Sequence, residues 1–85
     1  MSIIVNKKRV GLAIAENRKR AKMTQKTLGV ATNLSRSYIA DIEAGRYMPS
    51  LVSMCRIAKT LDMKLNFLTS MTEIQDNQKV ESNNS

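Results

Sequence analysis

Residues 24–45, TQKTLGVATNLSRSYIADIEAG, read as helix, tight turn, helix. Thr24 is a suitable N-cap, because its side-chain oxygen can accept one of the unpaired amide protons of the first turn, and Gln25 to Ala31 can then form a short helix. Gly29 lies inside that helix, where glycine costs roughly 1 kcal/mol relative to alanine. Its missing side chain permits close approach by the second helix. Asn33 stands where the chain must turn, and asparagine adopts the left-handed conformation more readily than most residues. Leu34 can anchor the turn in the core. Ser35 caps the second helix, Ile39 and Ile42 mark its buried face, and Gly45 ends it.

On a helical wheel of Arg36 to Ala44, Ile39 and Ile42 point one way. Ser37, Ala40, Asp41 and Ala44 point broadly away, with Tyr38 on the flank and Arg36 at the open end. The outward face is small in its middle and hydrogen-bonding at its edges. Such a helix can lie against base edges in a major groove, since short side chains let its backbone enter. An ordinary amphipathic helix with a solvated outer face would look the same.

The chain has 85 residues, enough for one small domain, and carries a net charge of +7. All of that excess lies between residues 7 and 26. There Lys7, Lys8, Arg9, Arg18, Lys19, Arg20, Lys22 and Lys26 face one acid, Glu16, whereas acids and bases balance elsewhere. A one-sided basic patch suits a polyanion. There is no histidine and a single cysteine, Cys55, so neither a disulfide within the chain nor the usual structural zinc sites can form. No metal or other cofactor is expected. Enzyme chemistry is also poorly served, because no histidine is available as a base, the acids are not paired, and Gly11, Gly29 and Gly45 are too far apart to cradle a phosphate. No apolar run approaches the roughly 20 residues of a membrane span, and the opening Met-Ser-Ile-Ile-Val is too short for a signal peptide, so the expected location is the cytoplasm.

Outward from the central stretch, residues 1–6 form an N-terminal arm. It could be β-like, pair with a partner as a strand, or lead into the first helix. Residues 7–22 form that helix, with Val10, Ile14, Asn17 and Ala21 on one face and Leu12 on the outer side. The loop Gly45-Arg46-Tyr47-Met48-Pro49 leaves the third helix. Ser50 caps a fourth, whose Leu51, Met54, Cys55, Ala58 and Leu61 make the strongest apolar stripe in the chain, joined by Ile57, so Cys55 reads as a small core residue. Asp62 is a helix stop or the cap of the next helix. A short fifth helix is expected over residues 64–71, with Leu65, Phe67, Leu68 and Met71 apolar, closing a domain of residues 7–71. Residues 72–85 read as a polar tail. The fold class is all-α, a five-helix bundle.

Glu43 lies one turn after Ile39, at the edge of the buried face, and a half-buried carboxylate needs a partner. Arg18 flanks the core stripe of the first helix and can bind it bidentately, forming an ion pair that fixes the third helix against the first. The alternative is a solvated Glu43, with Arg18 left to touch phosphate.

Val10 to Leu68 resembles the lambda-repressor-like (Cro/CI, or XRE) helix-turn-helix family. The resemblance is carried by Ile14 four residues before Arg18, then Thr24-Gln25, Leu28-Gly29, Leu34-Ser35-Arg36, Tyr38-Ile39, Ile42-Glu43, Gly45-Arg46, Pro49-Ser50-Leu51 and Ile57-Ala58-Lys59 with Leu61. SRSYIADIEAGRYMPSL is especially similar to small phage and bacterial repressors and to restriction–modification controller proteins. The resemblance implies five helices, with the second and third as the double-stranded-DNA-binding unit. It implies base contacts from Arg36, Ser37, Tyr38 and Asp41, and phosphate contacts from Thr24, Gln25, Lys26, Ser35, Arg46 and Tyr47. An Arg18–Glu43 ion pair also occurs in parts of the family. Members usually bind paired half-sites as homodimers, often through the fifth-helix region, so the implied function is a transcriptional regulator, more often repressor than activator. Gly29 stands where the family usually has alanine, Asn33 where it has glycine, and Asp41 puts an acid at a groove-facing position. The competing reading is a protein-interaction module, or an antitoxin-type relative that binds a partner protein and touches DNA weakly.

Overall fold

Each helix begins at a residue whose side chain can replace a missing backbone partner. In the computed structural model, which describes residues 3–64 and 72–74, with side chains for residues 6–64, four helices follow one another: α1 (Lys7–Arg20), α2 (Gln25–Thr32), α3 (Arg36–Glu43) and α4 (Leu51–Thr60). The Asn6 Oδ1 atom accepts from the amides of Lys8 and Arg9. Thr24 accepts from Thr27, Ser35 from Tyr38 and Ser50 from Ser53, each at 3.0–3.1 Å. These bonds satisfy donors that every helix start otherwise leaves unpaired.

The helices also end alike. After α1 and after α3, two amides turn back in the six-to-one and five-to-two pattern of a Schellman motif. Met23 N donates to Arg18 O and Lys22 N to Lys19 O, while Arg46 N donates to Asp41 O and Gly45 N to Ile42 O. The same pairs close α2 through Leu34 and Asn33, and α4 through Met63 and Asp62. The residue at the bend has positive φ each time: Lys22, Asn33, Gly45 and Asp62. Three of these four are residue types that tolerate the left-handed region. Lys22 is not, but its positive φ turns the chain all the same, so α1 ends at Arg20, two residues short of its expected end.

Val10, Ile14, Leu28, Ile39, Ile42, Met54, Ile57 and Leu61 form one buried cluster, with Met23, Leu34, Tyr38, Met48 and Met63 packed around it. α3 packs on both α1 and α2, and α2 also meets α4. Two of the close approaches need glycine. A Cβ on Gly29 would lie 2.7 Å from the Leu34 carbonyl oxygen, and one on Gly11 would collide with the Ile42 carbonyl oxygen and come within 2.8 Å of that of Glu43.

Three expectations are corrected. Ala21 is exposed, as the C-cap of α1 rather than a member of its buried face. The buried face of α4 is Ser53, Met54, Ile57 and Ala58, with Leu61 just beyond, while Leu51 and Cys55 of the expected stripe are exposed. α4 carries apolar residues around more than half its circumference, so spacing alone could not locate the centre of the buried arc. Cys55 is therefore a surface thiol. It is expected to react with a chromogenic disulfide reagent in the native state nearly as fast as in denaturant, and strong native protection would contradict this placement. Third, the expected polar tail begins with a strand, which pairs with the arm in its β-like form. β1 (Ile3–Val5) runs antiparallel to β2 (Thr72–Ile74), with Ile3 opposite Ile74 and Val5 opposite Thr72. The expected fifth helix lies outside the described residues.

Candidate nucleic-acid interface

The bend at Asn33 brings the open ends of α2 and α3 to one shallow cleft of about 480 Å³, lined by Lys26, Gly29, Val30, Asn33, Leu34, Ser35 and Arg36. Its floor is the close contact at Gly29 and Leu34. Lys26 and Arg36, both exposed, put a positive charge from the first turn of each helix on its lining. Since Thr24 caps Thr27 and Ser35 caps Tyr38, the amides of Gln25 and Lys26, and of Arg36 and Ser37, stand ahead of the first intrahelical bonds. Two helix N-termini with free amides and flanking cations make a surface suited to anionic oxygens.

Behind this surface lies an ion pair. Arg18 grips Glu43 bidentately, Nε to Oε2 at 2.7 Å and Nη2 to Oε1 at 3.0 Å, and its Nη1 donates to the Met23 carbonyl at 2.8 Å. The two side chains are only 11% and 7% exposed. The bond to Glu43 holds the Arg18 guanidinium above its ordinary pKa, against the opposing effect of burial. The ion pair thus joins the end of α1 to the end of α3. It has a third member that sequence reasoning missed: the Gln25 amide donates to Glu43 Oε1 at 3.0 Å. Gln25 is thereby half-buried and tied inward, with one amide hydrogen left for an outside acceptor. The missed signal is the second lone pair of Glu43 Oε1, which a single arginine partner does not exhaust.

The other expected contact residues fall into three groups. Arg36 and Ser37 are exposed on the first turn of α3, and Thr24, Lys26 and Ser35 are exposed along the starts of α2 and α3. Tyr38 differs. Its ring is half-buried against the core, and its phenol oxygen accepts from the Ser50 amide at 3.3 Å, linking α3 to the start of α4. Hydrogen bonding from the Ser53 hydroxyl, and then from Ser50, draws its pKa below the ordinary tyrosine value, against burial. Finally, Asp41 and Arg46 meet each other, Arg46 Nη1 to Asp41 Oδ1 at 2.8 Å, with Tyr47 exposed beside them.

The Helix-turn-helix family model matches residues 14–68, most of the chain and the whole of this surface. The chain belongs to the XRE-type helix-turn-helix family of DNA-binding regulators. Among relatives of this helix-turn-helix protein, the 10 kDa protein of the ImmF control region of Bacillus phage phi105 is 43% identical over 68 residues, 80% of this chain and 74% of that one. The immunity repressor of the same phage is 46% identical over 57 residues, covering 67% of this chain and 40% of the repressor. Among solved structures, the restriction–modification controller protein C.AhdI from Aeromonas hydrophila superposes with a TM-score of 0.67 at 30% identity, over 69% of this chain and 86% of that one. Among the described residues, this helix-turn-helix chain has no cluster of metal-ligating side chains and no helix long and apolar enough to cross a membrane.

Proposed function

We propose that the protein is a sequence-specific transcriptional repressor that binds double-stranded operator DNA as a homodimer on paired half-sites. The observation that carries this reading is the exposed first turn of α3, with Arg36 and Ser37 free while the rest of the helix is locked to α1, α2 and the start of α4. In this reading α3 enters the major groove. Arg36 offers a fork of donors to the O6 and N7 acceptors of a guanine, and the Ser37 hydroxyl takes an adjacent donor or acceptor. Thr24, Lys26, Ser35 and the free amides of both helix starts hold one run of phosphates, joined by the remaining amide hydrogen of Gln25. Arg46 and Tyr47 hold the phosphates at the other end of α3. Asp41 also faces the groove, and Tyr38 supplies the edge of its ring rather than its hydroxyl.

Dimerisation is supported by the exposed apolar side chains Leu51 and Val52 at the start of α4, which give a second copy a surface to cover. The kinship with an immunity repressor supports repression over activation. The chemistry uses no cofactor and no catalysis, and a cytoplasmic location follows from the DNA partner.

The test is binding to fragmented genomic DNA across a salt titration, with the retained pool sequenced. Enrichment of one two-fold symmetric site is expected. Arg36→Ala should weaken binding to that site by roughly ten-fold to a hundred-fold while leaving the melting temperature unchanged. Ser37→Ala should cost less and relax the choice at one base pair. Uniform retention that vanishes with salt would mean that only the basic surface binds. Capture of a partner protein, undiminished by charge reversal at Lys19 and Arg36, would favour the interaction-module reading instead.

A further inference from the structure

We propose that Asp41 and Arg46 act as one selectivity unit, in which Asp41 demands a cytosine in each half-site and Arg46 makes that demand compatible with the polyanion. This rests on the DNA-binding reading of α3.

Asp41 lies one turn beyond Ser37 on the outward face of α3, and its side chain is 30% exposed. An ionised carboxylate has acceptors only. In the major groove guanine presents N7 and O6 and thymine presents O4, all acceptors, so a carboxylate facing either is repelled. Cytosine and adenine each offer an amino group. Adenine sets that group beside its own N7, a second acceptor that a carboxylate cannot satisfy and an amide can, whereas on cytosine itself the amino group is flanked by C5–H, which needs no donor. The base that Asp41 fits is therefore cytosine.

A bare carboxylate this close to phosphates would oppose binding to any sequence. Arg46 removes that obstacle. Its Nη1 sits 2.8 Å from Asp41 Oδ1, while its backbone amide donates to the Asp41 carbonyl at 2.9 Å as the six-to-one bond that ends α3. Gly45, at φ +80°, makes the bend that returns Arg46 over Asp41. The Arg46 side chain is 65% exposed, so its remaining N–H groups are open to a phosphate oxygen while Nη1 stays on the carboxylate. One side chain can then neutralise the reader and fix its depth against the sugar–phosphate chain, leaving Asp41 Oδ2 for the base. Asp41 reads, and Arg46 is a positioning residue.

The experiment is selection from a randomised half-site library with the full chain, comparing wild type, Asp41→Asn, Arg46→Gln and the double variant, with salt slopes and melting curves for each. Wild type is expected to prefer cytosine over guanine or thymine at one position by on the order of ten-fold. Asp41→Asn should move that single preference to adenine or erase it, with other positions unchanged. Arg46→Gln should weaken all sequences alike and lower the salt slope by about one. The double variant should bind tighter than Arg46→Gln alone, because the unshielded carboxylate is gone. A purely structural helix end would instead lower melting temperatures and leave base preference intact, which would overturn the proposal. Equal tightening on every sequence by Asp41→Asn would also overturn it, since Asp41 would then only repel. A wild-type chain without preference at any position would overturn the reading of α3 as a sequence reader, and this proposal with it.

Discussion

Glu43→Ala is expected to lower the melting temperature by roughly 10–20 °C, against a few degrees at most for Asp41→Ala. Both residues are acids on α3 and both meet an arginine near 2.8 Å. The difference is solvent. The Asp41–Arg46 side chains are 30% and 65% exposed, and exposed pairs are worth about 0–1 kcal/mol. The Arg18–Glu43 side chains are 11% and 7% exposed, so removing the carboxylate leaves a guanidinium desolvated and unpaired. Breaking one side of a fully buried pair costs about 3–5 kcal/mol, and for this partly buried pair about 2–4 kcal/mol is expected.

The loss extends beyond the pair. Gln25 loses its acceptor as well, so the start of α2 loses its tie to α3 and the cleft between them loosens. Glu43→Gln should fall between the wild type and Glu43→Ala. Its amide keeps one acceptor for Arg18 but turns two donors toward the donors of Arg18 and Gln25. Thermal melting of the three variants in one buffer measures this. Equal melting temperatures for Glu43→Ala and Asp41→Ala would mean that the Arg18–Glu43 contact contributes nothing to the fold.

Much of this architecture was legible because it is local. Thr24, Ser35 and Ser50 announce helix starts by chemistry that acts over three residues, and Asn33, Gly45 and Asp62 announce bends by conformational tolerance at a single position. Ile39 and Ile42 gave the buried face of α3, and the wheel position of Glu43 then required a cation that Arg18 could supply. What escaped is relational. Lys22 bends the chain although lysine carries no signal for a left-handed residue, because the Schellman bonds after α1 outweigh its preference. Gln25 read as a phosphate contact because its second role depends on where Glu43 points. Leu51 and Cys55 read as core because α4 is apolar over too wide an arc for spacing to find its centre. The pairing of Ile3–Val5 with Thr72–Ile74 joins opposite ends of the domain, which no local pattern encodes. At the candidate interface, the exposure of Thr24, Lys26, Ser35, Arg36 and Ser37 follows from their places at the helix starts, whereas the mutual engagement of Asp41 and Arg46 depends on the bend after α3.

Gly11→Ala is expected to destabilise the fold by about 1–3 kcal/mol, although in an exposed helix the same change would stabilise it by about 1 kcal/mol. Gly11 is buried on α1 where α3 crosses it. An added Cβ meets the Ile42 carbonyl oxygen and comes within 2.8 Å of the Glu43 carbonyl oxygen. Both are backbone atoms, so no rotamer change can relieve the overlap and one helix must move. The Arg18–Glu43 bonds resist such movement, because Glu43 is itself the residue pressed upon. The strain therefore falls on the orientation of α3, which carries Arg36, Ser37 and Asp41. A control on the same helix separates packing from propensity: Ala15→Gly should cost only about 1 kcal/mol and leave DNA binding unchanged. Gly11→Ala should lower the melting temperature and, with α3 as the proposed groove-reading helix, also the discrimination between operator and random DNA. A Gly11→Ala chain more stable than wild type would mean that α1 and α3 do not approach this closely, and the packing that presents α3 would have to be rebuilt from a different contact.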